Sequence, residues 1–280
     1  MSPGRYVRSV ARVSIARATA QYVNLSWRRH RRKAMPHKLP GRLTVTLTSY
    51  PPRYPTLALT LKSLLAQSVR PDHLCLWIAE DDLGSLPENV RRLCSDGLVI
   101  QRCQDLRSYT KIIPALTAGH EFLVTADDDQ YYRRHWLKEL VGAYRPGRRE
   151  VVCARAHRIR LDARGLPLPY FQWESEVAAG GDERLVFPTG VGGVLYEPGI
   201  FHNDVTRSEI FRDLCPSADD VWLYWMAALN GARFRKVGPR RRQIMWGDSQ
   251  RVTLFSVNRT ANDEQIANMI SRYGFPGRSL

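Results

Sequence analysis

The chain has 280 residues, 44% of them apolar and a quarter charged, enough to bury a core as one large domain or two small ones. Net charge is +15, but residues 1–42 hold eleven Lys or Arg and no acid, which leaves 31 of the 42 basic residues to face 27 acidic ones. The composition excludes a disordered chain; no apolar run reaches the roughly 20 residues that cross a bilayer, and Arg every few positions excludes the apolar stretch of a secretory signal.

Residues 4–30 place Tyr6, Val10, Val13, Ile15, Ala18, Tyr22, Val23 and Leu25 at helical spacing with arginines between them. Three readings of this arm stay open. It is a solvated basic helix; an amphipathic helix on an anionic membrane surface, contacting it through residues 1–38; or a nucleic-acid arm, which the lack of a binding motif and of stacking aromatics disfavours. MPHKLPG (35–41) reads as a linker.

From residue 42 the pattern alternates. Strands are expected at 42–49, 73–82, 98–103 and 121–126, with helices at 56–68, 87–97 and 108–119 between them; Gly97 and Gly119 stand at helix ends. A further helix falls within 130–150, strands at 151–161 and 232–238, a loop with aromatics at 166–187, a Gly-rich turn with a short apolar strand at 189–199, an apolar helix at 217–231 and a last helix near 262–273. This order predicts an α/β fold with a mostly parallel central sheet flanked by helices, a basic arm and linker at 1–41, a catalytic domain at 42–240, and a C-terminal extension packed on it at 241–280. Five cysteines without a CxxC pair fit a reduced, cytoplasmic compartment, and Cys75 and Cys153 read as small buried hydrophobes.

Ligands of such sheets sit outside the carboxyl ends of the strands, where Glu80-Asp81-Asp82 and Asp127-Asp128-Asp129 both fall. No Lys or Arg stands inside the second cluster to offset it. In an extended segment residues i and i+2 project to one side, so Asp127 and Asp129 reach a common point and Asp128 does not. Two hard oxygen ligands suit Mg2+ or Mn2+ shared with phosphate oxygens; the plain alternative is a solvated acidic turn. Ser217-Ala218-Asp219-Asp220 fits a capping box, which needs only one acid and leaves the other to take a proton from a hydroxyl. Gly190, Gly192 and Gly193 permit close backbone approach, and Lys111 is placed to meet phosphate or to remain a surface lysine.

Taken together, TLTSYPPR (46–53), SYTKIIPAL (108–116), TADDDQYY (125–132), PTGVGGVLY (188–196) and SADDVW (217–222) resemble the GT-A nucleotide-sugar glycosyltransferases, in particular the bacterial family 2-like enzymes, over residues 43–237. The resemblance implies a UDP- or GDP-linked sugar donor held by Thr48, Tyr50, Arg53, Asp81, Asp82, Lys111, Asp127 and Asp128. It implies Asp129 as chief metal ligand with Asp127 assisting, Asp220 or Asp219 as the base, and Tyr170, Phe171 and Trp173 stacking an acceptor sugar beside Glu174, Gly192 and Gly193. The acceptor is a saccharide or lipid-linked saccharide, and the setting bacterial surface polysaccharide synthesis at the inner face of the cell membrane. The last histidine is His202, ahead of SADD, so a third ligand falls to Asp248 or water. Gln243-Ile-Met-Trp246 departs from the QxxRW motif of processive synthases, which argues for single-sugar transfer. The paired acids lean the expectation towards an inverting outcome. Two alternatives are a nucleotidyltransferase, disfavoured by prolines where a Gly-rich loop belongs, and a non-enzymatic basic membrane- or nucleic-acid-binding protein, disfavoured by acids lining the cleft.

Overall fold

The computed structural model describes residues 3–178, 180, 183–247 and 258–277, with side chains from residue 11 onward except at 258–260. Among these residues seven strands form one sheet: β1 (Leu43–Thr48), β2 (His73–Ala79), β3 (Leu98–Cys103), β4 (Phe122–Thr125), β5 (Glu150–Cys153), β6 (Val194–Tyr196) and β7 (Arg233–Lys236). Their order is β7-β5-β6-β4-β1-β2-β3. Every neighbouring pair is parallel except those of β6, which runs against both β4 and β5. That reversal has a functional consequence. The start of β6, with Val194 opposite Thr125, lies at the same edge as the carboxyl ends of β1, β2 and β4.

The strands are apolar on both faces because both are covered. Phe122, Leu123, Val124 and Thr125 are all buried, as in a central parallel strand. Six longer helices accompany the sheet: α1 (Pro3–Arg32), α2 (Tyr54–Leu65), α3 (Trp136–Gly142), α4 (Ser208–Leu214), α5 (Asp219–Leu229) and α6 (Asn258–Tyr273). One core layer joins Leu57 and Leu61 of α2, Leu137 and Leu140 of α3, and Val45 and Val124 of the sheet. The opposite layer joins Trp222 and Trp225 of α5, Met269 of α6, Leu123 and Val151. Cys75 and Cys153 are buried within this second layer.

Several boundaries differ from the expectation. The helix expected at 108–119 is a 3-10 turn, Arg107–Lys111, followed by a short helix, Ile113–Thr117, because Pro114 offers no N–H and is tolerated only in a first turn. The strand expected at 151–161 divides at Arg155 into β5 and Ala156–Arg158, and the latter pairs with Val186–Pro188 in a separate two-stranded sheet.

The basic arm is helical but not solvated on all sides. Ala16, Val23 and Trp27 are buried, Lys62 Nζ of α2 donates to Asn24 Oδ1 at 2.7 Å, and Arg28 and Arg31 lie 3.8 and 4.0 Å from Asp96. The segment read as a linker is also anchored, since Met35–Pro36 pairs in parallel with Val69–Arg70. Away from the buried residues of α1, Ile15 and Leu25 are exposed, Leu25 by 87%, and Tyr22 is 48% exposed at the edge of the docked face. No helix among the described residues is long and apolar enough to cross a membrane.

Candidate functional site

The acidic turn is built by the strand that precedes it and by three contacts on its backbone. β4 ends at Thr125, and Ala126 N–H still donates to Thr46 O at 2.9 Å. Asp127 N–H then donates to Tyr132 Oη at 2.7 Å, Thr60 Oγ1 of α2 donates to Asp128 O at 2.8 Å, and Trp246 N–H donates to Asp129 O at 3.0 Å. Trp246 is itself held by its indole N–H, which donates to Thr60 Oγ1 at 2.8 Å. With the backbone fixed, each of the three side chains meets a different partner.

Asp127 Oδ1 lies 3.7 Å from Lys111 Nζ, Asp128 Oδ2 accepts from Ser49 Oγ at 2.5 Å, and Asp129 Oδ2 accepts from Arg53 Nη1 at 2.6 Å. The cluster therefore does contain cations, although none is adjacent in sequence. Arg53 arrives from the 3-10 turn after β1 and Lys111 from the turn after β3.

Lys111 is the centre of a second group. Its Nζ is 2.7 Å from Asp219 Oδ2, and Thr46 Oγ1 donates to its carbonyl at 2.6 Å. Asp220 Oδ1 accepts from Gly190 N–H at 2.9 Å. A Cβ on Gly190 would stand 2.8 Å from Lys111 Nζ and 3.0 Å from Asp220 Oδ1, so a side chain here would push against both charged groups. The expected capping box is absent. Ser217 does not cap α5; instead Gln265 Oε1 of α6 accepts from Ser217 N–H at 3.0 Å and Ala218 N–H at 2.9 Å. A side chain from a distant helix thus holds the backbone leading into α5, and no side chain caps the helix itself.

Five carboxylates thus share one sheet edge with two cations. Burial, followed by repulsion from Asp219, pushes Asp220 up to about 7 against the pull of Lys111. Burial raises Asp128 to about 7 despite its Ser49 bond, and burial with repulsion from Asp127 raises Asp129 to about 6 despite Arg53. Burial opposes the charge of Lys111, but Asp219, Asp127 and Asp220 together hold it well above the ordinary lysine range. Net negative charge at a buried edge is the setting a divalent cation fits. Among the described residues no three metal-ligating side chains gather, so such a cation would rest on Asp129, Asp127 and non-protein oxygens, a coordination that Mg2+ and Mn2+ accept. Asp248 lies outside the described residues.

The remaining expected residues divide. Thr48 Oγ1 donates to Trp77 O at 2.9 Å, Tyr50 is 42% exposed, and Asp81 and Asp82 sit in the turn Glu80–Ser85 after β2, all at the same sheet edge. Asp82 contributes its carbonyl to Tyr54 Oη at 3.2 Å. The aromatic acceptor platform needs correction. Trp173 is buried between Tyr170 and Phe187, its indole N–H donates to Leu168 O at 2.7 Å, and it has no face to offer a sugar. Tyr170 is packed with it, Phe171 is exposed, and Glu174 pairs with Arg158 at 3.4 Å. Gly192 and Gly193 take φ of +118° and +94°; Gly192 O accepts from Trp136 Nε1, and a Cβ on Gly193 would lie 2.4 Å from Trp136. His202 is spent on a local turn, accepting from Asp204 N–H at 3.2 Å.

The sequence pattern did not single out Ser49, Thr60, Gln265 or Arg155, and marked Trp246 only as part of Gln243-Ile-Met-Trp246. Arg155 Nη1 donates to Thr189 Oγ1 at 2.8 Å, beside the Gly-rich turn.

No protein-family model matches the chain, and no curated protein sequence does. Among solved structures it is similar to GalNAc-T7 with UDP, GalNAc and Mn2+, at 14% identity and a TM-score of 0.45 over 70% of this chain and 42% of that one. It is similar as well to S. aureus TarS 1-349, at 14% identity and a TM-score of 0.47 over 83% of this chain and 72% of that one. TarS 1-349 in complex with UDP-GlcNAc gives 15% identity and a TM-score of 0.44 over 80% and 66%. The chain spans less than half the length of the GalNAc-T7 chain.

Proposed function

We propose that this chain is a glycosyltransferase of the GT-A type, moving one sugar from a nucleotide-sugar donor to a hydroxyl of a saccharide or glycolipid acceptor in the building of a surface polysaccharide. The observation that carries the reading is the gathering, at one sheet edge, of the β4-tip carboxylates with Asp219, Asp220 and Lys111. The motifs in that order along the chain support it independently.

In this reading Thr48, Tyr50, Arg53 and Asp81 or Asp82 border the nucleotide, and Asp128 is held by Ser49 as part of the wall. Asp129 and Asp127 would hold Mg2+ or Mn2+, whose charge offsets that of the diphosphate as it leaves. Asp219 is buried and committed to Lys111, whereas Asp220 is partly open and fixed through one oxygen by Gly190 N–H. Asp220 is therefore the base: it takes the proton from the acceptor hydroxyl as that oxygen attacks the anomeric carbon, and the nucleoside diphosphate departs with the bonding pair. Attack from the face opposite the leaving group gives inversion. Lys111 pairs with Asp219 and also draws on Asp220 directly, opposing the rise that burial and Asp219 impose on it.

The exposed row Ile15, Tyr22 and Leu25, set among arginines, lies on the anionic inner face of the membrane where a lipid-linked acceptor is presented. The test is release of nucleoside diphosphate from UDP-, GDP- and dTDP-sugars by the full chain with Mn2+. Release from one donor class that is lost in Asp220→Asn is expected; no release from any of them, with acceptor extracts supplied, contradicts the reading.

A further inference from the structure

Beside the acid cluster lies a cleft, open to solvent, whose charged lining is mostly basic. It runs between α3, the turn after β5 and the segment 236–244, and it is bordered by Gly192 and by Gln130, the neighbour of Asp129. Six basic side chains line it (Arg133, Arg155, Lys236, Arg240, Arg241 and Arg242) against two acids, Glu139 and Glu176. Those acids are already used. Glu176 Oε1 is 3.1 Å from Arg155 Nη2, its Oε2 is 2.9 Å from Arg240 Nε, and Glu139 Oε2 is 2.6 Å from Arg241 Nη1. Among the described residues, Arg133, Lys236 and Arg242 have no carboxylate within ion-pair distance. Lys236 is 4% exposed, and burial together with the nearby Arg241 lowers its affinity for a proton.

The cleft is also constructed at some cost. Glu176 holds a φ of +51°, a left-handed backbone state unfavourable for a non-glycine residue. His157 Nδ1 accepts its N–H at 3.0 Å and fixes it there, so that one carboxylate spans Arg155 and Arg240. Arg155 then bridges outward, donating to Thr189 Oγ1 next to the Gly190 that holds Asp220. Lys236 Nζ donates to Gly238 O, but a neutral sugar has no use for six cations at the rim of a transfer site, two of which, Arg133 and Arg242, are exposed and have no carboxylate partner among the described residues.

We infer that this cleft binds an anionic group, phosphate or carboxylate, carried by the acceptor. The inference rests on the transferase reading for the word acceptor, and on the cleft alone for the anion. It also supplies what the buried Trp173 does not, a surface able to orient the second substrate.

The test uses the full chain and two probes, sn-glycerol 3-phosphate for a phosphate-bearing acceptor and glucuronate for a uronic acid, titrated calorimetrically into wild type and into Arg133→Ala/Arg242→Ala. Both substituted residues are exposed, so the fold should survive. Loss of one charge-assisted contact weakens binding by about tenfold or more, so the double variant should lose at least that factor for whichever probe binds. Nucleotide affinity, measured in parallel, should stay unchanged. Equal anion affinity in the two proteins, or no binding of either probe, overturns the inference and leaves the donor reading intact. Anion binding that is lost in the variant, in a chain that binds no nucleotide, upholds the anion site while removing the transferase reading.

Discussion

Lys111 Nζ stands 2.7 Å from Asp219 Oδ2, tying the turn after β3 to the first turn of α5. The pair is buried on both sides, and Asp127 and Asp220 share the same cation. Removing one partner of such a pair strands a buried charge, which costs about 3–5 kcal/mol. Lys111→Met should lower stability by that order in urea unfolding, and Lys111→Met/Asp219→Asn should recover a large part of it. A double variant as unstable as the sum of its singles would show that the two residues do not act as a pair.

The site also predicts opposite pH responses for stability and activity. Asp220, Asp128 and Asp129 titrate at about 7, 7 and 6 in the fold, above the ~4 of an unfolded aspartate. Between those values the folded chain binds more protons than the unfolded one, so their contribution to stability declines as pH rises from ~4 to ~7. A base must be ionised, so kcat/KM should instead climb through an apparent pKa near 7. In Asp220→Asn turnover should fall by about 10²–10⁴-fold and part of the pH-dependent stability loss should vanish. A variant with the wild-type pH profile would remove Asp220 from the base role.

Trp173 is a core residue, and its substitution should read as one. Trp173→Ala is expected to cost about 3–5 kcal/mol, seen as a lowered melting temperature. In the fraction that folds, KM for the acceptor should be unchanged, whereas a selective rise in KM at unaltered stability would restore the stacking role.

Helix α1 has two faces with separable effects. Trp27→Ala removes a buried contact with the domain and should destabilise it, while Tyr22→Glu/Leu25→Glu alters only exposed positions. The second variant should lose sedimentation with phosphatidylserine vesicles while keeping its melting temperature. Unchanged vesicle binding would leave α1 a structural helix alone.

How far these features could be read in advance follows the range of the interactions behind them. The strand–helix alternation was legible because Phe122–Thr125 and its fellow strands declare themselves by local apolar runs. The acidic turn was visible for the same reason, and its position at a sheet edge followed from the alternation. What neutralises it was not, since Arg53 and Lys111 are 76 and 16 positions from their carboxylates and only the sheet order unites them. Gln265, which holds Ser217 N–H ahead of α5, is 48 residues away, so a local motif, the capping box, was read in its place. Trp173 was misplaced because aromatics in a polar loop look exposed until the two-stranded sheet Ala156–Arg158 with Val186–Pro188 folds over them. The basic cleft draws on Arg133, Arg155 and residues 236–242, which no local pattern connects.

The central claim is that the β4 tip serves a nucleotide-sugar donor with the help of a divalent cation. Its most direct test is calorimetric titration of the full chain with UDP-, GDP- and dTDP-sugars, with and without Mn2+, beside Asp129→Ala. The account predicts binding of one nucleotide class that requires Mn2+ and disappears in a folded Asp129→Ala protein. Absence of binding to every nucleotide, or binding indifferent to both Mn2+ and Asp129, would contradict it.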